Sequence, residues 1–97
     1  MASRKSKDQI VSRILSVCVG GGANKTRIVY ASNLNFHNVK QYLDLLIKNG
    51  LLEAGHGNAA RYKTTQKGIE FLEHFRAIEK MFPELGNHGR WQIPQGT

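Results

Sequence analysis

Between positions 37 and 44 the chain places His37, Asn38, Lys40, Gln41 and Asp44 at spacings of one to four residues. On a helix these side chains share a broad face. Amides at Asn38 and Gln41 suit bidentate pairing with adenine, and Lys40 suits guanine or a phosphate. His37 can bond either a base or a phosphate, whereas Asp44 repels phosphate and suits only a cytosine amino group. Asp44 can equally pair with Lys40 or Lys48, each four residues away. A second set, Lys25-Thr26-Arg27, opens another helical stretch, where backbone N–H groups and the helix dipole favour phosphate. Arg61 and Lys63 alternate around Tyr62, so in a strand both cations point outward while the tyrosine points inward. The chemistry these residues offer is recognition of a nucleic acid, not bond making.

Catalytic constellations are weak by comparison. His37, His56, His74 and His88 are dispersed, without a recurring metal-ligand interval, and Glu70 and Glu73 fit a helix surface. Neither serine nor cysteine has the local setting of a nucleophile. Gly20-Gly21-Gly22 followed by Lys25-Thr26 resembles a phosphate-binding loop, but that loop needs glycine directly before its lysine, and Ala23-Asn24 intervene. Cys18, the one cysteine, shares a stripe with Ile14 and Leu15 and is expected to be a buried, inert thiol. No enzyme activity, metal site or cofactor is expected.

Charge places the partner. The 97 residues carry 14 Lys plus Arg against 7 Asp plus Glu, a net charge of +7. Residues 1–67 hold 11 of the basic groups with only Asp8, Asp44 and Glu53, a balance of +8; residues 68–97 balance to −1. A polyanion should therefore meet the first two-thirds of the chain. No stretch has transmembrane length or the unbroken apolar run of a signal peptide, so a cytoplasmic, nucleoid-associated protein without membrane contact is expected.

The elements that position these residues follow from periodicity. A first helix starting near Ser6, with Gln9 as capping-box partner, carries Ile10, Val11, Ile14, Leu15 and Cys18 on one stripe and ends at the glycine triplet. Asn24 caps a second helix over about 25–31, and Asn35 a third over about 36–49, closed by Gly50. The apolar residues of the third are Val39, Tyr42, Leu43, Leu46 and Ile47. Residues 51–54 and 61–64 read as two short strands joined by a loop holding His56 and Asn58. Thr65 caps a last helix over about 66–82, which Pro83 stops. Gly68 in its first turn costs helix propensity and suggests close packing against another element.

The resulting fold class is mainly α with a small β-hairpin: a winged helix-turn-helix in the order α-α-α-β-β-α. Residues 1–6, with Arg4 and Lys5, form a basic arm, 7–65 a DNA-binding domain, 66–82 a dimerisation helix and 83–97 a tail containing Trp91. In the last helix Ile69, Leu72 and Phe75 can serve the domain's own core. Phe71, Phe75, Ile78 and Phe82, at 4-3-4 spacing, form a candidate dimer seam. A core of about 75 residues is marginal alone, which also favours self-association.

Three segments, Lys25-Thr26-Arg27-Ile28, the run from Tyr42 to Leu52 ending "LLIKNGLL", and "YKTTQKG" at 62–68, resemble the small archaeal winged-helix DNA-binding proteins in which a final helix pairs with its mate. The resemblance spans about residues 7–82. It implies a homodimer on double-stranded DNA, acting as a transcription regulator or as a chromatin-type binder with little sequence preference. The last helix stops at Pro83, which shortens any coiled coil. The expected DNA contacts are Lys25, Thr26, Arg27, Asn35, His37, Asn38, Lys40, Gln41, Arg61 and Lys63. Rival readings are a protein-interaction winged helix using the phenylalanines, and RNA binding, which favours exposed aromatic platforms.

Overall fold

Three polar residues in extended conformation each turn the chain into a helix. In the computed structural model, which describes residues 7–55 and 60–82, the order is α1 (Lys7–Val17), α2 (Lys25–Ser32), α3 (Phe36–Lys48), β1 (Leu52–Ala54), β2 (Tyr62–Thr64) and α4 (Gln66–Met81). Asn24 accepts from Arg27 N–H at 2.9 Å, Asn35 from Asn38 N–H at 2.7 Å, and Thr65 from Gly68 N–H at 3.1 Å. All three are the caps expected from residue type, each satisfying one of the N–H groups a helix start leaves unpaired. The arm, the loop residues His56 and Asn58, Pro83 and the tail with Trp91 lie outside the described residues.

Several boundaries differ from the periodicity by one residue, for local reasons. Ser32 stays in α2 because its hydroxyl donates to Ile28 O at 2.8 Å. Asn33 then takes the left-handed conformation, φ 60°, and its N–H reaches Val29 O. The α2–α3 turn is thus Asn33-Leu34-Asn35. At the far end of α3, Asn49 leaves the helix and caps it through Nδ2 to Leu45 O at 2.8 Å. Gly50, φ +78°, sends its N–H to Ile47 O, and Leu51 sends its own to Leu46 O at 2.9 Å. This is a Schellman ending, which wants glycine at the left-handed position. Leu51 N–H is therefore committed to the cap, and β1 begins only at Leu52. The last helix ends at Met81, with Phe82 as its cap.

The hairpin is antiparallel, pairing Leu52 with Thr64, Glu53 with Lys63 and Ala54 with Tyr62. A further edge, which residue type and spacing do not announce, joins the hairpin. Ala23 exchanges both backbone hydrogen bonds with Tyr62, at 3.0 and 2.8 Å, tying the turn after α1 to the wing. Thr64 completes the attachment: its N–H donates to Cys18 O and its hydroxyl to Leu15 O at 2.7 Å. Two carbonyls, one in the last turn of α1 and one just after it, thereby gain partners.

The core gathers Ile10, Ile14, Leu15 and Cys18 from α1, Ala23, Ile28, then Val39, Leu43 and Leu46 from α3, Leu52 and Leu72. Each buried Leu or Ile contributes roughly 1.5–3 kcal/mol relative to exposure. Ile47, expected on this stripe, is partly exposed at the flank of α3. In α4, Gly68, Leu72 and Phe75 are buried and Ile69 is half-buried. Phe71 packs on the core and stacks on Phe75, with ring centroids 6.3 Å apart. The candidate seam is therefore divided: its first half lies against the protein's own domain. Ile78 and Phe82 remain exposed, as does Met81 at 84 %.

Gly68 is the point of closest approach. A Cβ there would collide with the Leu51 carbonyl oxygen and lie 2.6 Å from Thr64 Cγ2. Alanine improves helix propensity by roughly 1 kcal/mol, but overpacking against backbone costs roughly 1–3 kcal/mol and the carbonyl cannot rotate away. Gly68→Ala should therefore lower stability in urea unfolding; unchanged or raised stability would show that α4 and the wing do not meet this closely.

Candidate nucleic-acid interface

The buried residues of α3, Val39, Leu43 and Leu46, fix which way the helix faces. His37, Asn38, Lys40, Gln41 and Asp44 are all exposed, as expected. His37, Gln41 and Lys48 lie opposite the core along successive turns, with Asp44 and Leu45 beside them. Lys40 lies nearer one flank, with Phe36 and Ile47. Leu45, half exposed, belongs to this outward face although its residue type suggests core. Its place seven residues after Asn38 was the signal for it. In such a position an aliphatic side chain can meet a thymine methyl.

Two contacts organise the polar face. Lys40 Nζ and Asp44 Oδ2 are 3.2 Å apart, which resolves the choice between Lys40 and Lys48 as partner of Asp44. The Gln41 amide and the His37 ring meet at 3.3 Å. Asn35 is committed through its Oδ1 to the cap of α3, so only its amide nitrogen is left to face a ligand. At the flank of α3, Gln41, Tyr42 and Leu45 line a shallow hollow with Lys7, so the chain enters α1 beside the polar face.

The second group of cations centres on the glycine turn. Arg61 donates to Gly22 O at 3.2 Å, and the stem of Lys63 lies against Gly22. The Ala23–Tyr62 pairing then leads directly through the Asn24 cap into Lys25. Arg61 and Lys63 are thus brought to the turn that carries Lys25, Thr26 and Arg27. Thr26, Arg27 and Tyr30 form the exposed side of α2, with Tyr30 82 % exposed. Lys67 acts differently from the other cations: its Nζ donates to Asn49 O at 2.9 Å, at the negative end of α3.

Cys18 is fully buried, and burial pushes its thiol up to about 11, with the nearby Arg27 charge pulling weakly the other way. It is a packing residue, as expected. Among the described residues no group of three or more His, Cys, Asp or Glu could hold a metal ion.

An exposed polar helix, preceded by a short capped helix and followed by a hairpin braced against the first turn, defines a winged helix-turn-helix. The profile of the winged helix-turn-helix family matches residues 4–82, and the chain belongs to that family. Among solved structures it is similar to Sso10a-2, a DNA-binding protein from Sulfolobus solfataricus, with 28% identity and a TM-score of 0.70, covering 84% of this chain and 85% of that one. A protein of unknown function from Listeria innocua shares the fold, with 19% identity and a TM-score of 0.64, over 81% of this chain and 60% of that one. An uncharacterised protein of Methanocaldococcus jannaschii, MJ0287, is 34% identical over 65 residues; the match spans 67% of this chain and 64% of that relative's length.

The raised thiol has a consequence for stability at high pH. Below the ordinary thiol value of 9.0 both folded and unfolded chains keep the proton; between 9 and 11 only the unfolded chain releases it. Stability should therefore fall across this window, by roughly 2–3 kcal/mol at its upper end. Cys18→Ala should remove that component of the alkaline slope. Equal slopes for both proteins between pH 9 and 11 would contradict the assignment.

Proposed function

We propose that this protein is a dimeric binder of double-stranded DNA that reads sequence with α3 and acts as a transcription regulator. The observation that carries this reading is the outward face of α3. Its amides, imidazole and cation are excluded from the core and held on a helix whose opposite side is locked by Val39, Leu43 and Leu46. A helix of 13 residues is about 20 Å long, enough to lie across a major groove.

In this arrangement His37, Asn38, Lys40 and Gln41 meet base edges or phosphates, with Asn35 at the leading end. Lys25, Thr26 and Arg27 take a phosphate at the start of α2, and Arg61 and Lys63 grip a flanking backbone. The net charge of +8 on residues 1–67 and the DNA-binding character of Sso10a-2 support a DNA partner. No helix among the described residues is long and apolar enough to cross a membrane, and a nucleoid location follows from the proposed partner. The second copy joins through the end of α4, where Ile78, Met81 and Phe82 present apolar surface beyond the Phe71–Phe75 stack.

A protein-interaction role would use that same apolar end and leave the basic face idle. Titrations against duplex DNA, single strands and RNA at physiological salt separate the readings, with tightest binding expected for duplex. Lys25→Ala and Lys63→Ala should each weaken binding to all duplexes and reduce the slope of log K against log salt by about 0.9. Gln41→Ala should instead relax sequence choice with the slope unchanged. Identical titration curves for wild type and both lysine variants would remove these residues from the interface.

Self-association has its own test. Phe82→Asp should give a monomer by sedimentation with its helical content intact. A wild type that is already monomeric at the concentrations that saturate DNA would exclude the dimer.

A further inference from the structure

Asp44 is the one acidic residue of α3, and it sits on the face we assign to DNA. The fold does not require it there. The side chain is 65% exposed, caps no helix, and pairs with the equally exposed Lys40. An exposed pair of this kind adds little to stability. Facing a polyanion, the carboxylate lowers affinity for indifferent DNA, both through its own charge and by occupying Lys40. Residues 1–67 contain only two other acids, Asp8 and Glu53, and neither is on α3.

The pair has a donor and an acceptor 3.2 Å apart on adjacent turns. In the major groove a C·G base pair offers the reverse pattern: the cytosine amino donor beside the guanine O6 and N7 acceptors. A carboxylate set against guanine's acceptors is repelled, one set against thymine meets a carbonyl and a methyl group, and one set against adenine's amino group is flanked on both sides by the N7 and O4 acceptors of that pair. Building on the DNA-binding reading above, we infer that the Lys40–Asp44 pair is a specificity device: it holds Lys40 off phosphate on indifferent DNA and selects a C·G base pair, Asp44 accepting from cytosine N4 and Lys40 donating to guanine.

The test compares wild type, Asp44→Asn, Lys40→Gln and the double variant, using a randomised duplex pool and the sequence that wild type enriches from it. All four should fold alike by circular dichroism, since both residues are exposed. Asp44→Asn should bind the random pool several-fold more tightly than wild type, with a salt slope steeper by about 0.9 as Lys40 gains a phosphate. In the Lys40→Gln background the same change should leave the slope where it was. Wild type should enrich a C·G base pair at one position that Asp44→Asn no longer enriches. Wild type that binds duplex while Asp44→Asn shows the same slope and base preference would overturn the inference and leave the DNA-binding reading standing. Absence of duplex binding by wild type would overturn both.

Discussion

The orientation of α3 depends on one junction, where its end, the root of the wing and the start of α4 meet within a hydroxyl's reach. Thr65 donates to Gly50 O at 2.6 Å and accepts from Gly68 N–H at 3.1 Å. Its own N–H reaches Leu51 O at 3.0 Å, and Lys67 binds Asn49 O. Gly68 has no side chain, which lets the first turn of α4 approach the Leu51 carbonyl. Backbone groups that a helix end would leave open are consumed here by another helix's cap. Moving α4 away would release the wing and the last turn of α3 together. The two sequence runs "LLIKNGLL" and "YKTTQKG" are the two halves of this junction, so their joint presence reflects one structural requirement and not two.

Much of the fold was legible because its signals are local. Asn24, Asn35 and Thr65 announce helix starts by residue type, Gly50 announces a left-handed ending, and the spacing of Val39, Leu43 and Leu46 sets a helix face. The one-residue boundary differences, as at Leu51, have local causes; the larger ones fall where a contact distant in sequence decides. Ala23 reads as part of a glycine-rich turn, and only the wing, 39 residues later, makes it a sheet edge. Leu51 has strand-like composition, but the Schellman ending takes its N–H. In α4 the 4-3-4 pattern of Phe71, Phe75, Ile78 and Phe82 is real, yet periodicity does not say which covering surface each residue meets. Packing on the domain claims Phe71 and Phe75, and the pattern's continuation stays exposed.

The candidate interface was legible to a different degree. The polar side of α3 follows from where its apolar residues must go, so the exposure of His37, Asn38, Lys40, Gln41 and Asp44 was deducible. Which partners those residues choose was not, since Asp44 lies four residues from both Lys40 and Lys48. Leu45 was hidden by its residue type, and Lys67 by lying in a helix assigned another task. Grouping of the wing cations with the start of α2 depends on the Ala23–Tyr62 pairing, a non-local contact that no charge count contains.

The apolar end of α4 lies apart from most of the cations, an arrangement in which two associations can coexist. The cations cluster in residues 1–67, whereas exposed Ile78, Met81 and Phe82 lie at the far end of α4, past Phe75, the last buried residue among those described. Apolar burial is indifferent to salt to first order, while phosphate contacts weaken as counterions compete. An assembly built on both surfaces would therefore shed its polyanion with rising salt before its subunits part. The opposite order, subunits separating while the polyanion stays bound, would require the apolar end of α4 to serve something other than a second copy.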